Sequence, residues 1–489
     1  MRIEARHLLF VLLAAVFVAT TAAGGTDQDS LRIYDSTTTF RHFAFEAKPD
    51  HTMLSYDRRS IVETVFRTKV IENEYLKVTL LPEYGGRILS LIYKPTGHEE
   101  LYQNPVGLPY GMGEGNFYYD WLMVYGGIFP TFPEPEHGKT WCLPWETRVA
   151  AQTPEKIGVE MRFHDDIAPT AGVPRRFDKG KTEITCTATV WVFKDKPYIK
   201  LQMRLSNTQA RPLDYEYWTC ATLAPGSEPG RTMTPANTEM IVPIDRVRLK
   251  DDWWPWMGAV ETPIDPRRHV FAYKNLALFA NWADMGIAYA YHGVEEGWWG
   301  VVNHTNEEGL FRVAENRTQT PGLKFWTWGY KRSYAADPNT FGNPARPYVE
   351  LWAGHSREFF IDARLDANEE KSWDEYYIPT VGLPRVTYAN RDALVYLHHS
   401  QDDAKDHAFT AMVFTTRPGE SMELWLRLNG AKEIPLYHDT FTGDPGKPLA
   451  LSLSRPAGAI GAGKYTFALI LKSTAGETLA ETGIPVEVK

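Results

Sequence analysis

Cysteine is scarce in this chain, with only Cys142, Cys186 and Cys220 among 489 residues. Three thiols form at most one disulfide and leave an odd cysteine, so no disulfide framework holds the fold, and three small buried thiols are the expected state. A chain of this length can instead rest on a large hydrophobic core. The length suggests two or three domains, although large β-sandwiches also occur as single units.

Basic blocks and metal-binding motifs are also missing. The formal net charge is −9, and no run of lysine and arginine stands out, which argues against nucleic acid and anionic membranes as partners. The sequence contains no HExxH, no histidine and cysteine cluster, no phosphate loop and no GxSxG. We therefore predict neither a metal nor another cofactor.

Long apolar runs are limited to the first segment of the chain. Arg2 and Arg6 precede an apolar run over 8–19, and the small residues 21–23 follow it. This order is typical of a secretory signal peptide, with cleavage near Ala23. The run is too short to span a bilayer comfortably. We predict a secreted or periplasmic protein without membrane insertion.

Helical patterns are almost absent, and the chain alternates as β-strands do throughout. Short runs rich in β-branched and aromatic residues are separated by turn signals, which predicts a large antiparallel sandwich or barrel. Residues 366–373 are the one stretch that fits either a short helix or an acidic loop. The predicted organisation is a signal peptide over 1–23, an N-terminal extension over 24–66, a sandwich over 67–377 and a small immunoglobulin-like sandwich over 385–489.

Aromatic residues are abundant, with 16 tryptophans and 25 tyrosines. Together with export, this composition points to carbohydrate, because indole faces pack against sugar C–H groups. The most informative segment is 126–145, GGIFPTFPEPEHGKTWCLPW, named here the His-Gly loop. It joins a turn that requires positive φ at Gly126 and Gly127 to a proline-rich stretch that presents His137. A stiff, well-packed loop with one surface histidine is the alternative interpretation.

Three tracts in this order resemble the galactose mutarotase (aldose 1-epimerase) superfamily. They are ENEYLKVTLLPEYGGRILSLIYKPTGHEELY at 72–102, GGIFPTFPEPEHG…W at 126–141 and PYVELWAG at 347–354. The tracts WTWG at 326–329 and YWT at 217–219 fit a branch often joined to tetratricopeptide repeats. The resemblance implies a β-super-sandwich whose concave face binds a sugar.

The resemblance also implies a catalytic pair. The family's His-Gly motif maps onto His137 and Gly138, and its general base maps onto Glu350. Anomer exchange requires a base that deprotonates the C1 hydroxyl and an acid that protonates the ring oxygen. The family places a second histidine, the usual acid, where Trp218 and Thr219 stand here. The sugar-binding face is therefore expected, whereas simple mutarotase chemistry lacks its usual acid.

Further residues are predicted to contact the substrate. Arg87 reaches either a sugar or an acidic side chain across the sheet, and the tryptophans at 253–256 form either a stacking platform or a lid on the core. A nearby carboxylate is an alternative proton donor, as in glycosidases, which use two carboxyl groups. The predicted substrate-binding set is Arg87, Asp120, Glu136, Trp141, Trp145, Trp218, Trp254, Trp256 and Trp328.

Three classes of function remain open at this point. The first is a carbohydrate-active enzyme, either a glycoside hydrolase or lyase or an epimerase, and export favours glycan breakdown. The second is a non-catalytic sugar-binding protein that kept the groove and lost the acid. The third is a structural spacer, which leaves the groove aromatics unexplained. The expected partner is a sugar or polysaccharide.

Overall fold

A computed structural model gives the structure of the protein. It describes residues 31–47, 53–107, 126–135, 137–141, 143–169, 174–249, 263–282, 286–327, 329, 347–402 and 406–488. Across these ranges the chain is built from antiparallel strands and contains no α-helix. Two short 3₁₀ helices lie at Tyr273–Asn275 and Phe279–Asn281.

Twelve strands form the larger sheet, called sheet I, in the order β1-β2-β3-β4-β5-β12-β20-β19-β16-β14-β15, with β6 paired to both β4 and β12. They are β1 (Arg32–Ala47), β2 (Met53–Glu72), β3 (Leu76–Leu81), β4 (Arg87–Tyr93), β5 (His98–Leu101), β6 (Ile128–Thr131), β12 (Trp218–Ser227), β14 (Arg246–Leu249), β15 (Val270–Ala272), β16 (Gly286–Ala290), β19 (Gly322–Thr327) and β20 (Val349–Gly354).

Eight strands form sheet II, in the order β13-β17-β18-β22-β10-β9-β8-β7. They are β7 (Glu146–Gln152), β8 (Lys156–His164), β9 (Ile184–Phe193), β10 (Ile199–Asn207), β13 (Thr238–Ile241), β17 (Trp298–Asn303), β18 (Glu308–Ala314) and β22 (Glu370–Val381). A short pair, β11 (Leu213–Tyr215) and β21 (Ala363–Leu365), lies beside them.

Two four-stranded sheets follow after residue 387 and enclose a hydrophobic cluster of their own. One contains β23 (Tyr388–Ala389), β24 (Ala393–Gln401), β25 (His407–Thr415) and β28 (Leu449–Arg455), and the other contains β26 (Ser421–Asn429), β27 (Ile434–Thr442), β29 (Gly463–Ser473) and β30 (Thr478–Val488). The predicted all-β fold, a super-sandwich with a small C-terminal sandwich, is confirmed.

Some predicted details differ from the structure. The boundary predicted at residue 66 falls inside β2, and the one predicted at residue 377 falls inside β22. Residues 366–373 form no helix, because Asn368 turns with φ of 56° and β22 begins at Glu370. The domain limits therefore remain a prediction.

Sheet I is buried on both faces around β20, and this property positions the candidate site. On β20, Val349, Leu351 and Ala353 join the core between the two sheets, whereas Trp352 joins a second cluster on the opposite face. We call these the inner and the outer face of sheet I. Strict alternation of side chains along a strand produces this division. The outer face is notably aromatic, with Phe40, Tyr84, Tyr102, Phe129, Trp141, Trp218, Tyr289, Tyr348, Trp352 and Phe359.

A charged network crosses the inner core and ties the sheets together. Arg312 on β18 and Glu375 on β22 form a fully buried ion pair of 2.8 Å. The Thr219 hydroxyl on β12 donates to Glu375 at 2.7 Å, so a sheet I residue completes the carboxylate's shell. Burying a charge is costly unless it is paired and hydrogen-bonded. Because Thr219 faces this network, its neighbour Trp218 faces outward.

Candidate functional site

The His-Gly loop begins at a double-glycine turn. Gly126 and Gly127 have φ of 83° and 101°, in the region that favours glycine. Gly138, which follows His137, has φ of 71°, and a Cβ atom there would lie 2.3 Å from the carbonyl oxygen of Phe132. Glycine is therefore required after the histidine, because the chain folds back onto its own backbone at that point.

Arg87 fixes this loop from β4. The fully buried guanidinium donates to the carbonyl oxygens of Tyr84, Gly126 and Trp141 at 2.7, 2.9 and 2.7 Å. Its carbon Cζ also lies 4.4 Å from the centroid of the Phe129 ring. Beside these contacts, both alternatives for Arg87, a sugar contact and a salt bridge across the sheet, stay predictions. The structure gives Arg87 a positioning role, because its donors hold the main chain on both sides of His137.

His137 lies on an aromatic floor. Its ring stacks on Trp141 with 4.4 Å between centroids, and Trp352 lies 5.3 Å away. Loss of solvation, followed by the positive charges of Lys324 and Arg87, lowers the pKa of His137 well below its usual range. The imidazole is therefore neutral at physiological pH. A neutral imidazole donates a hydrogen bond through one nitrogen, but it is a poor source of protons.

Glu350 occupies the same outer face, on β20. It is 3% exposed, and the indole N–H of Trp352 donates to its Oε2 at 2.7 Å. Register places Thr222 of β12 on one side of Glu350 and Trp326 of β19 on the other. The carboxylate predicted as the base is thus held by a tryptophan that also packs against His137. Its backbone is fixed between two strands, which suits precise placement.

Lys324 is a site residue that the sequence analysis missed. It is 2% exposed on β19, and its Nζ lies 3.9 Å from the centroid of Trp352 and 4.4 Å from that of Phe359. Cation–π contacts of this kind strengthen when they are desolvated. The signal was present in the sequence, because Lys324 alternates with the apolar Leu323 and Phe325 on a strand.

Cys220 lies in the same cluster, where the register pairs it with Trp352. Burial and the nearby charge of Glu350 raise the pKa of the Cys220 thiol well above its usual range. It therefore stays protonated and acts as a small apolar residue. Cys186 is also a buried free thiol, in the inner core. Cys142 lies outside the described residues.

The three predicted tryptophans with described positions divide between two sites. Trp141 and Trp218 belong to the outer-face cluster, and Trp218 packs edge-on against Phe359 at 5.1 Å. Trp145, also predicted to bind substrate, lies apart from them, because its indole belongs to the inner core and packs over Gly86. Its N–H donates to the carbonyl oxygen of Thr140 at 3.2 Å. Trp145 therefore anchors the end of the loop.

Several predicted substrate-binding residues lie outside the described residues, namely Asp120, Glu136, Trp254, Trp256 and Trp328, together with Trp253. Two other side chains that the sequence analysis weighed lie elsewhere in the structure. His304 sits in the turn before β18 with its Nε2 3.1 Å from Glu239. Glu146 lies exposed on β7, 3.6 Å from Arg162.

A second charged cluster lies beneath the His-Gly loop. Lys139 is buried, with its Nζ 3.2 Å from Asp165, 3.7 Å from Glu134 and 4.0 Å from Asp178. Desolvation raises the pKa of Glu134 to about 8, although Lys139 opposes the rise. Desolvation also raises the pKa of Glu216, two residues before Trp218, to about 8. Glu134 supports the loop, whereas Glu216 adjoins the aromatic face, because the indole N–H of Trp218 donates to its Oε2 at 3.5 Å.

Within the described ranges, no group of three or more histidine, cysteine, aspartate or glutamate side chains is arranged to hold a metal ion. Over the same part of the chain, no helix has the length and apolarity needed to cross a membrane.

Comparison with known proteins adds a family model and several solved structures. Residues 48–146 match a domain of unknown function, DUF5107. A TPR-domain containing protein from Parabacteroides distasonis matches at 16% identity and a TM-score of 0.56, over 74% of this chain and 58% of that chain. This chain therefore spans less than two thirds of that protein.

Two further structures match with lower scores. A putative aldose 1-epimerase from Klebsiella pneumoniae is 13% identical with a TM-score of 0.45, over 64% of this chain and 79% of that chain. A galactose mutarotase-like protein from Clostridium acetobutylicum is 12% identical with a TM-score of 0.43, over 65% of this chain and 96% of that chain. The resemblance predicted from the sequence is confirmed at the level of the fold.

Proposed function

We propose that this chain is an exported carbohydrate-active protein that holds a sugar or glycan ring against the outer face of sheet I and carries out acid–base chemistry on it. One observation carries the proposal: the Glu350 carboxylate and the His137 imidazole are placed on one aromatic face, and Trp352 contacts both. Tryptophan rings suit the apolar faces of a sugar, and the polar groups beside them suit its hydroxyls.

In this proposal Glu350 is the base or nucleophile. A carboxylate at the floor of a desolvated aromatic site exerts a stronger effect on a developing charge than one in water. The neutral imidazole of His137 donates a hydrogen bond to a sugar oxygen in the ground state and more strongly in the transition state. Because the neutral ring does not readily supply a proton, the acid is a second group, and the ammonium of Lys324, which lies 3.9 Å from the centroid of Trp352, is the candidate for that role.

Three reactions on sugars suit this pair of groups: epimerisation at C1, glycoside hydrolysis and lyase cleavage. Epimerisation at C1 needs a base and an acid. Glycoside hydrolysis or lyase chemistry also uses a base with a proton donor, and we propose it in preference because free sugars mutarotate spontaneously outside the cell. Export rests on the predicted signal peptide, which N-terminal sequencing of the mature protein checks.

A non-catalytic sugar-binding protein is the second candidate. Trp218, which is 1% exposed, occupies the place where the family's acid is expected. An indole there offers packing and no proton. In this second candidate function the aromatic face binds a sugar, but no reaction follows.

A two-part assay separates these candidates. Reducing-end release is measured on a panel of plant and algal polysaccharides, and exchange between the α and β anomers of D-galactose is followed by NMR. An enzyme releases reducing ends or accelerates anomer exchange, and Glu350→Gln abolishes that activity. A binding protein shows saturable tryptophan quenching with the same saccharides and no turnover. If neither turnover nor quenching occurs with any saccharide, the proposal fails.

A further inference from the structure

The first strand of sheet I has one long edge without a strand partner in the described part of the chain. Strand β1 pairs with β2 in an unbroken register from Arg32↔Glu72 to Phe43↔Ile61. Its other edge is used only at the far end, where the N–H of Phe43 donates to Gly107 and the N–H of Gly107 donates to Arg41. The stretch 32–40 thus forms one boundary of the sheet.

The contacts of Gly107 identify which residues direct their backbone groups outward. Because the carbonyl of Arg41 and the N–H of Phe43 both point away from β2, alternation makes every odd-numbered residue of the regular stretch point the same way. Ile33, Asp35, Thr37 and Thr39 therefore present both an N–H and a C=O to the outside.

Native sheets usually protect such an edge with proline, lysine or a bulge. Between residues 32 and 40, RIYDSTTTF, there is no proline and no lysine, and the first register shift of β1 comes only after Phe43. The three consecutive threonines favour an extended strand. Tyr34 on this strand and Val65 on β2 are exposed, at 37% and 62%. The described edge therefore carries neither proline nor lysine nor a bulge, and its charged residues are Arg32 and Asp35.

We propose that β1 pairs with β1 of a second copy of this chain, in antiparallel orientation, so that the two sheets join across a two-fold axis at Ser36. This register opposes residue i to residue 72 − i of the partner copy. It is the one register that pairs all four outward-facing residues with one another, Ile33 with Thr39 and Asp35 with Thr37. Four hydrogen-bonded pairs give about eight backbone hydrogen bonds.

Competing registers are less favourable. A register centred one residue earlier opposes Asp35 to Asp35 of the partner copy, and like charges directly opposite are destabilising. Registers centred on Thr37 or Thr38 shift pairing toward Arg41 and Phe43, whose outward groups already bond to Gly107. An interface that contacts itself through one patch is isologous and closes as a dimer.

Cysteine cross-linking tests the register. At the two-fold axis Ser36 faces its copy in a non-hydrogen-bonded pair, with Cα atoms about 4.5 Å apart, which is within the range of a disulfide. Ser36→Cys is expected to give a disulfide-linked dimer under mild oxidation. The matched control Thr38→Cys lies two residues further along the same face and is expected to stay uncross-linked.

Charge substitution tests the same contact without covalent chemistry. Thr37→Asp opposes a carboxylate to Asp35 of the partner copy twice per dimer, whereas Thr37→Lys opposes an ammonium to it. Light scattering after size exclusion should give a dimer for the native chain and for Thr37→Lys, and at least a tenfold weaker dimer for Thr37→Asp. Circular dichroism at equal concentration checks that both variants keep the β fold.

The cross-linking and light-scattering results either support or overturn the pairing of β1 with its copy. A dimer that Ser36→Cys captures and Thr38→Cys does not supports the pairing. A native chain that stays monomeric at tens of micromolar overturns it, as does equal cross-linking by both cysteine variants. The result does not depend on the proposed sugar chemistry, because the substituted residues Ser36, Thr37 and Thr38 are not part of the outer-face cluster, to whose buried residues β1 contributes only Phe40 and Phe43 among the described residues.

Discussion

Replacing Glu134 with glutamine should stabilise the protein at neutral and alkaline pH. Glu134 is 1% exposed, and neither carboxylate oxygen has a hydrogen-bond partner among the described residues. Its pKa is raised from 4.5 to about 8 by desolvation, against the opposing charge of Lys139. The folded state therefore binds a proton that the unfolded state releases between these values, so stability is highest at low pH and falls as the pH rises.

The size of this effect follows from the pKa. Each pH unit between about 4.5 and 8 removes about 1.4 kcal/mol of stability through this one group, so roughly 3 kcal/mol is lost between pH 5 and pH 7.5. Glutamine has nearly the same shape and no charge to desolvate. The free energy of unfolding of Glu134→Gln, relative to the native chain, should therefore increase with pH.

Urea denaturation followed by tryptophan fluorescence at half-unit steps of pH measures this difference. Glu155→Gln, at an exposed position, is the control, and it should leave the difference from the native chain independent of pH. Parallel curves for Glu134→Gln and the native chain would refute the reasoning, because they would mean that Lys139 fully offsets the desolvation of an ionised Glu134.

Three further predictions concern the frame of the site. Gly138→Ala should destabilise the protein by about 1–3 kcal/mol more than Gly419→Ala does, because only the substitution at Gly138 places a Cβ against a carbonyl. Gly419 is the matched control, since it has φ of 72° and open space around it. Thermal unfolding measures the stability of both variants. Glu375→Gln should cost about 3–5 kcal/mol by leaving Arg312 buried without its counter-charge, a loss that equilibrium unfolding detects. The NMR signals of the His137 ring should remain those of a neutral imidazole well below pH 6.5, and titration near pH 6.5 would show that its site is solvated.

The sequence predicted the fold well because alternation is a local signal. In strands such as β9, β10 and β26, every second residue packs into one core. This alternation of apolar residues can be recognised in the sequence itself. The positive φ of Gly126 and Gly127 was equally legible, because no other residue suits that turn. The sequence did not distinguish a helix from a loop at 366–373, because charged residues fit both. In the structure β22 begins within this segment and pairs with β18 and β10, which excludes the helix.

The candidate site was predictable in its residue types and less so in its geometry. Glu350 and His137 were found through motifs, whereas Lys324 was overlooked because a lysine on a strand usually points to solvent. Trp141 and Trp145 are four residues apart in one loop, yet they lie on opposite faces of sheet I. That division depends on which side of Gly85 and Gly86 the returning chain packs, and it is a tertiary property.

Arg87 illustrates the same limit. A single arginine after two glycines offers no local indication of two of its three acceptors, which come from positions 39 and 54 residues further along the chain. Only the folded loop brings the carbonyls of Gly126 and Trp141 to the guanidinium. Arg87 therefore supports the loop that carries His137, and its predicted contact with a substrate stays a prediction.

The most direct test of the central claim compares binding and turnover in one variant. Native chain and Glu350→Gln are titrated with the saccharide that quenches tryptophan fluorescence most strongly, and each is then assayed for reducing-end release and anomer exchange with it. The account predicts similar affinity for both proteins and a loss of about 10²–10⁴-fold in rate for the variant. Full turnover by Glu350→Gln, or the absence of any saccharide that binds the native chain, would contradict it.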